Sequence, residues 1–399
     1  MRFCRYPVFH FAVFSCLDRE RNSLDRFFPN RMRIAFYAPL KAPDHPIPSG
    51  DREIARLFLA ALRLAGHEPV LVSRFRSYEG YGDALRQARL AALGERLANR
   101  FLRRCREFPE FVPELWFSYH VYHKAPDCLG PAVACALRIP YVVAEASVTP
   151  VQGCGRWTAG HRATESAIRR ADAVIGLNSK DRECILPLLQ EPWRWAALKP
   201  FVDAATYDRG GDPEWGPPRL ITIAMMRHGD KLTSYRLLGE SLSRLLDLPW
   251  SLEVVGDGPA RLDVEKALAP LNERVTWMGS LDHAAIADRL ALADLFVWPA
   301  CNEAFGMALL EAQASGLPVV AGAVGGVGEI VASEVTGLLV APGDPLAFAA
   351  AVRTLILNRG RRSAFARAAR RRVLLKHDLP TAACRLAAVI DALGRARAA

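Results

Sequence analysis

Two glutamates, Glu303 and Glu311, stand eight positions apart in the string Asn302-Glu303-Ala304-Phe305-Gly306-Met307-Ala308-Leu309-Leu310-Glu311. On one continuous helix they would be about two turns apart and partly off-face. The flanks fit another placement better. An apolar run over 295–298 ends at Pro299, so Glu303 falls in a loop at a strand's carboxyl end. Phe305-Gly306 then leads into a helix that holds Glu311 a turn or more inside. That arrangement suits a nucleotide sugar. One carboxylate accepts hydrogen bonds from the sugar's hydroxyls, and the other takes the ribose hydroxyls. The free N–H groups of Phe305, Gly306 and Met307 at the helix N-terminus face the diphosphate, and Gly306 lets the backbone approach closely. The plain alternative is two surface glutamates around a packing Phe-Gly turn. Spacing alone is a weak signal, because charged residues are common. The whole string is more specific, with its strand before and Gly316-Leu317-Pro318-Val319-Val320 after.

The elements that position these residues come from apolar runs alternating with helical stretches, the pattern of an α/β chain with parallel sheets. It occurs twice. Strands are expected at 33–38, 70–72, 114–119, 141–144 and 173–177, with helices at 51–65, 131–138 and 179–189. Residues 208–218, rich in Gly, Pro and charge, read as a linker. Strands then recur at 220–224, 252–255, 275–278, 295–298, 319–321 and 338–340. The expected organisation is an extension over 1–31, a Rossmann-like acceptor domain over 32–207, the linker, a Rossmann-like nucleotide-sugar domain over 219–378, and a closing helix over 379–399. Two such domains place a cleft between two sets of strand carboxyl ends, where ligands bind.

The string around Glu303 and Glu311 resembles the E-x7-E signature of family 4 glycosyltransferases, retaining enzymes with the two-domain GT-B fold. The resemblance continues in Val254-Val255-Gly256-Asp257-Gly258-Pro259, in Ala323-Val324-Gly325-Gly326-Val327-Gly328-Glu329-Ile330, in Gly337-Leu338-Leu339-Val340 and in Pro200-Phe201-Val202-Asp203. It spans about residues 32–391 and is densest over 220–344. It implies that an Arg and a Lys after the second domain's first strand offset the donor pyrophosphate; Arg227 and Lys231 occupy that stretch, one residue closer together than the family pattern. It also implies a phosphate contact at Ser49-Gly50, where a plain helix cap fits the spacing nearly as well. The family's active-site His is missing: Glu145-Ala146-Ser147 stands in its place. Glu145 and His120 are therefore the residues expected to line the cleft, ahead of His161, and Tyr119, Tyr122, Trp157 and the loop 150–160 are candidates for an acceptor surface.

The resemblance implies transfer of a sugar from a nucleoside-diphosphate sugar to a glycan or lipid-linked acceptor, without a metal or other cofactor. Two other readings share the fold: a nucleotide-sugar epimerase and a non-catalytic nucleotide-sugar-binding protein. A dinucleotide dehydrogenase lacks its G-x-G-x-x-G after either first strand. The 399 residues suit two domains, and no apolar run is long enough to span a bilayer. Nine scattered cysteines show no zinc spacing. With no export signal that satisfies a cleavage pattern, the expected location is cytoplasmic, with contact at the inner membrane face as an option. The net charge is +10. No helix-turn-helix, zinc-finger or RNP pattern accompanies it, which argues against nucleic acid. Arginines concentrate in 85–106, interleaved with leucines at helical spacing. Such a helix either rests peripherally on anionic lipid or packs its apolar side on its own domain and solvates the rest; the second is the preferred reading.

Overall fold

The computed structural model describes residues 31–47, 49–148, 155–207 and 216–398, with the side chains of 396–398 left aside. The expected extension, except Arg31, and most of the expected linker lie outside the described residues.

The first sheet holds β1 (Arg33–Tyr37), β2 (Glu68–Ser73), β3 (Leu115–Tyr122), β4 (Tyr141–Ser147), β5 (Ala173–Gly176) and β6 (Trp195–Ala197), all parallel, in the order β2-β1-β3-β4-β5-β6. Around it lie α1 (Gly50–Leu64), α2 (Ala84–Glu107), α3 (Gly130–Leu137), α4 (Thr158–Arg170) and α5 (Ser179–Ile185). The second sheet holds β7 (Arg219–Ile223), β8 (Ser251–Val255), β9 (Val275–Gly279), β10 (Leu295–Trp298), β11 (Val319–Gly322) and β12 (Gly337–Val340), again parallel, in the order β12-β11-β10-β7-β8-β9. Its helices are α6 (Asp230–Ser243), α7 (Arg261–Leu268), α8 (His283–Leu292), α9 (Met307–Ala314), α10 (Val327–Ile330), α11 (Pro345–Leu357) and α12 (Arg359–Lys376). These are two Rossmann-like domains, the GT-B arrangement. Each central strand is covered on both faces, so it reads as an unbroken apolar run: every residue of β5, β10 and β11 is buried.

Two elements differ from expectation. β6 is three residues long, too short to carry a periodic signal. β3 does not stop at Tyr119 but continues to Tyr122, which puts His120 inside the strand and not at its end. The reason is a shared kink. Tyr119 pairs with Ala144 and Val121 with Ala146, while the residues between, His120 and Glu145, both have left-handed backbones, at φ 59° and 55°. Neighbouring strands turn together and resume their ladder one residue later.

The closing helix α13 (Leu379–Ala398) crosses back to the first domain and packs along α1. It buries Ala382, Ala383, Leu386, Ile390 and Leu393. The crossing is stitched by backbone pairing: Val202 N–H donates to the His377 carbonyl at 2.9 Å, and Leu379 N–H to the Val202 carbonyl at 2.9 Å. The buried His377 donates Nδ1–H to the Pro200 carbonyl at 2.8 Å. Among the described residues no helix is long and apolar enough to cross a membrane.

Candidate active site

β10 delivers the chain to Pro299 and Ala300, whose left-handed backbone at φ 52° turns it into the loop before α9. Glu303 sits in that loop. Its Oε1 accepts Trp298 Nε1–H at 3.0 Å and also the Lys231 ammonium. Lys231 lies over the Trp298 ring, 5.3 Å from its centre, so the same lysine is held by charge and by the ring face. Oε2 of Glu303 has no partner among the described residues and is free to accept from a ligand. The loop's shape depends on the glycines facing it. Gly326 N–H donates to the Ala304 carbonyl at 2.7 Å, and a Cβ on Gly325 (φ 52°) would drive into the Glu303 carbonyl oxygen. Phe305 is buried and anchors the loop, and Gly306, at φ 77°, caps α9. No acceptor among the described residues meets the N–H groups of Phe305, Gly306 and Met307, which leaves a short row of donors beside Glu303.

Glu311 is the fifth residue of α9, one turn in and buried. It faces Tyr207, His283 and, from the first domain, Glu53. Burial pushes its carboxyl pKa up; His283 opposes that shift and Glu53 adds to it. The Tyr207 hydroxyl lies 2.9 Å from His283 Nε2, and His283 is 3.6 Å from Glu53. The pocket at Glu311 is therefore built from both domains.

Arg227 and Lys231 follow β7. The loop between them is seated on the turn after β8: Met226 N–H donates to the Asp257 carbonyl at 3.0 Å and Ala260 N–H to the Met226 carbonyl at 3.0 Å. Side chains on Gly256 and Gly258 would collide with the carbonyls of Ala224 and Met226. Arg227 is exposed. Of the two residues expected at the pyrophosphate, Lys231 is paired with Glu303, and Arg227 makes no ion pair among the described residues. Lys231, the second residue of α6, projects towards the Glu303 loop.

In the first domain the kinked pair dominates. His120 Nδ1 lies 3.0 Å from Asp51 Oδ1. Burial disfavours the imidazolium, but Glu145 and Asp51 outweigh it and raise the His120 pKa to about 9. Burial pushes Glu145 up, partly offset by His120, and Glu145 Oε2 is buried without a partner. The raised value favours the imidazolium form of His120 at neutral pH, paired with Asp51. Burial lowers the Lys41 pKa; Asp51 opposes that shift, while Arg227, Arg76 and Arg52 reinforce it, so cations of both domains share this region. Ser49 caps α1, its Oγ accepting from Arg52 N–H at 3.3 Å. Gly50 is the first helical residue, and a Cβ there would meet nothing within 4 Å. The first turn carries Asp51 and Glu53, which disfavour an anion at that N-terminus. Tyr119 is 1% exposed and belongs to the core, not to an acceptor surface. Tyr122 remains half-buried, Trp157 packs on His123 at 5.6 Å, and residues 150–154 of the expected acceptor loop lie outside the described residues. His161 pairs with Glu165 on α4.

The domains touch at the site. Glu329 Oε1 accepts from Ser179 N–H at 2.8 Å and from Ser179 Oγ–H at 2.7 Å. Sequence reasoning missed Asp51, Glu53, Tyr207, His283, Trp298 and Ser179. Of these only Trp298 carried a signal, as the last residue of the strand that ends before Glu303; the others meet the site from far along the chain.

Residues 217–358 match the family described as Glycosyl transferases group 1. The chain is 29% identical over 287 residues to glycogen synthase of Mycobacterium tuberculosis, covering 68% of each chain. It is 33% identical over 251 residues to alpha-D-kanosaminyltransferase of Streptomyces kanamyceticus, covering 60% of this chain and 64% of that one. In fold it is similar to HepE of Anabaena, solved in complex with UDP and glucose, with a TM-score of 0.66, 17% identity, and coverage of 90% of this chain and 100% of that one. The fold is the GT-B arrangement over most of the chain, and the second domain resembles the group 1 glycosyl transferases. The group 1 match falls on the second domain, the half that carries Glu303, Glu311, Arg227 and Lys231.

Proposed function

We propose that the protein is a retaining glycosyltransferase of family 4 that moves a sugar from a nucleoside-diphosphate sugar to a hydroxyl of a glycan or lipid-linked acceptor. The observation that carries this reading is Glu303. It is fixed on one oxygen by Trp298 and Lys231, open on the other, and set beside unpartnered N–H groups at the start of α9. Glu303 accepts from hydroxyls of the transferred sugar. Glu311 accepts from the ribose in its two-domain pocket. As the bond from the anomeric carbon to the diphosphate breaks, charge grows on the leaving group, and Arg227, Lys231 and the α9 N-terminus oppose it without a metal ion. The acceptor hydroxyl attacks on the face the diphosphate leaves. The relatives' names, a glycogen synthase and an alpha-D-kanosaminyltransferase, support sugar transfer and leave the acceptor to experiment. The neighbour with bound UDP puts UDP-sugars first among donors to try.

The test is to incubate the protein with UDP-, GDP- and ADP-sugars, alone and with glycan or lipid acceptors. Nucleoside diphosphate release and the anomeric configuration of the product, read by NMR, are the observables. Release from one donor with retained configuration is expected. Inverted configuration would overturn the retaining assignment, and neither release nor a nucleotide-induced thermal shift would overturn the enzyme assignment.

A further inference from the structure

Helix α2 is 24 residues long, about 36 Å at 1.5 Å per residue, and its own domain holds it by a narrow stripe. Only Gly94, Ala98, Leu102 and Cys105 are buried. The opposite stripe, at steps of three and four residues, reads Leu85, Arg89, Leu93, Arg96, Arg100, Arg103 and Glu107, and all of these are exposed. Packing of the helix's apolar side on the domain, the preferred expectation from sequence, therefore fails for part of it. Leu97 and Phe101 are half-buried, but Leu85 is 71% exposed and Leu93 36%. The helix carries seven arginines against two glutamates. Arg89, Arg96, Arg100 and Arg103 make no ion pair with another described residue. The apolar exposure continues past the helix end, where Phe108 is 46% and Phe111 42% exposed and the Arg104 guanidinium lies 4.1 Å from the centre of the Phe111 ring. Arg100, Arg103, Arg104, Glu107, Phe108 and Phe111 line an open depression of about 520 Å³ there.

Single exposed leucines are ordinary on a solvated surface; here they share one stripe with unpaired arginines and lead into two exposed phenylalanines. Arginines interleaved with leucines and ending in two exposed phenylalanines match a surface that is anionic at its face and apolar just beneath. We propose that this face of α2 docks on anionic phospholipid, with Arg89, Arg96, Arg100 and Arg103 on lipid phosphates and Leu85, Leu93, Phe108 and Phe111 in the interfacial layer. The proposal does not depend on which sugar is transferred or to what.

The test is co-sedimentation of the full chain with vesicles of phosphatidylcholine alone and of phosphatidylcholine with about one third phosphatidylglycerol, at low and high salt. Binding is expected only to the anionic vesicles, with strong weakening at high salt. The triple variant R96E/R100E/R103E should lose on the order of 100-fold in vesicle affinity, R96K/R100K/R103K should keep most of it, and F108S/F111S should bind more weakly with unchanged salt dependence. Thermal transitions of all variants matching the wild type show that folding is not the cause. Failure of the wild type to bind anionic vesicles at low salt, or equal binding by the triple glutamate variant, overturns the proposal. So does binding to a nucleic acid that exceeds binding to anionic vesicles and is lost in the same variant.

Discussion

With Trp298 and Lys231 on one oxygen of Glu303, the other oxygen is aimed by its neighbours and not by its own rotamer freedom. Removing Lys231 therefore does two things: it subtracts a cation and frees the carboxylate to swing. Lys231→Ala should lower turnover by on the order of 10²–10³, more than it weakens nucleotide binding, whereas Arg227→Ala should weaken nucleotide binding as well; comparing KM and kcat for both variants checks this. At His120 the sign of the titration is definite. Its folded pKa of about 9 lies above the ordinary 6.5. The pairing with Asp51, reinforced by the nearby Glu145, thus contributes stability in full below pH 6.5, and that contribution is lost as pH rises through 9. An NMR titration of the imidazole should find this raised value, and Asp51→Asn should lower it. A wild-type midpoint near 6.5 would contradict the arrangement. The Glu303–Glu311 pair was readable from spacing and flanks. The partner of Glu303 was not, because Lys231 and Glu303 are 72 positions apart and both had separate plausible roles.

At the scale of elements, the loops that hold the site are shaped by glycine contacts. Gly325→Ala adds one carbon where the Glu303 carbonyl already sits, at a backbone angle that L side chains rarely adopt. It should displace the Glu303 loop and reduce kcat/KM by more than tenfold while leaving the thermal transition within a few degrees; an unaffected kcat/KM would show the loop tolerates the shift. The crossing segment at His377 gives a second check. Burial holds its pKa down at about 4, against 6.5 unfolded. The unfolded chain binds the extra proton between these values, so stability falls as pH drops from about 6.5 towards 4, by up to roughly 3 kcal/mol. His377→Gln should flatten that acid slope in denaturant titrations at a series of pH values. The strands were the most legible elements, since parallel strands buried on both faces leave unbroken apolar runs such as Leu295–Trp298. The joint kink at His120 and Glu145 was not legible. It is a property of two adjacent strands, and neither sequence contains the glycine that usually announces a left-handed residue.

Across the whole molecule, α13 ties the second domain back to the first. Leu386, Ile390 and Leu393 are buried against α1, each worth about 1.5–3 kcal/mol when fully buried, a sum comparable to the total stability of many domains. Truncation after Asp378 should lower the thermal transition by ten degrees or more or prevent soluble expression; an unchanged transition would show that α13 is dispensable. The sequence marks this stretch as a closing helix but not which domain it closes, because an amphipathic stripe does not name its partner. The same holds for the pocket at Glu311, completed by Glu53 and by Tyr207 with His283. The most direct test of the account is nucleoside diphosphate release from the preferred nucleotide sugar by wild type, Glu303→Ala and Glu311→Ala, beside nucleotide-induced thermal shifts of the same proteins. Glu303→Ala should lose turnover at least 100-fold and keep the thermal shift, while Glu311→Ala should lose the shift. Wild-type turnover in both variants would contradict the assignment of the site.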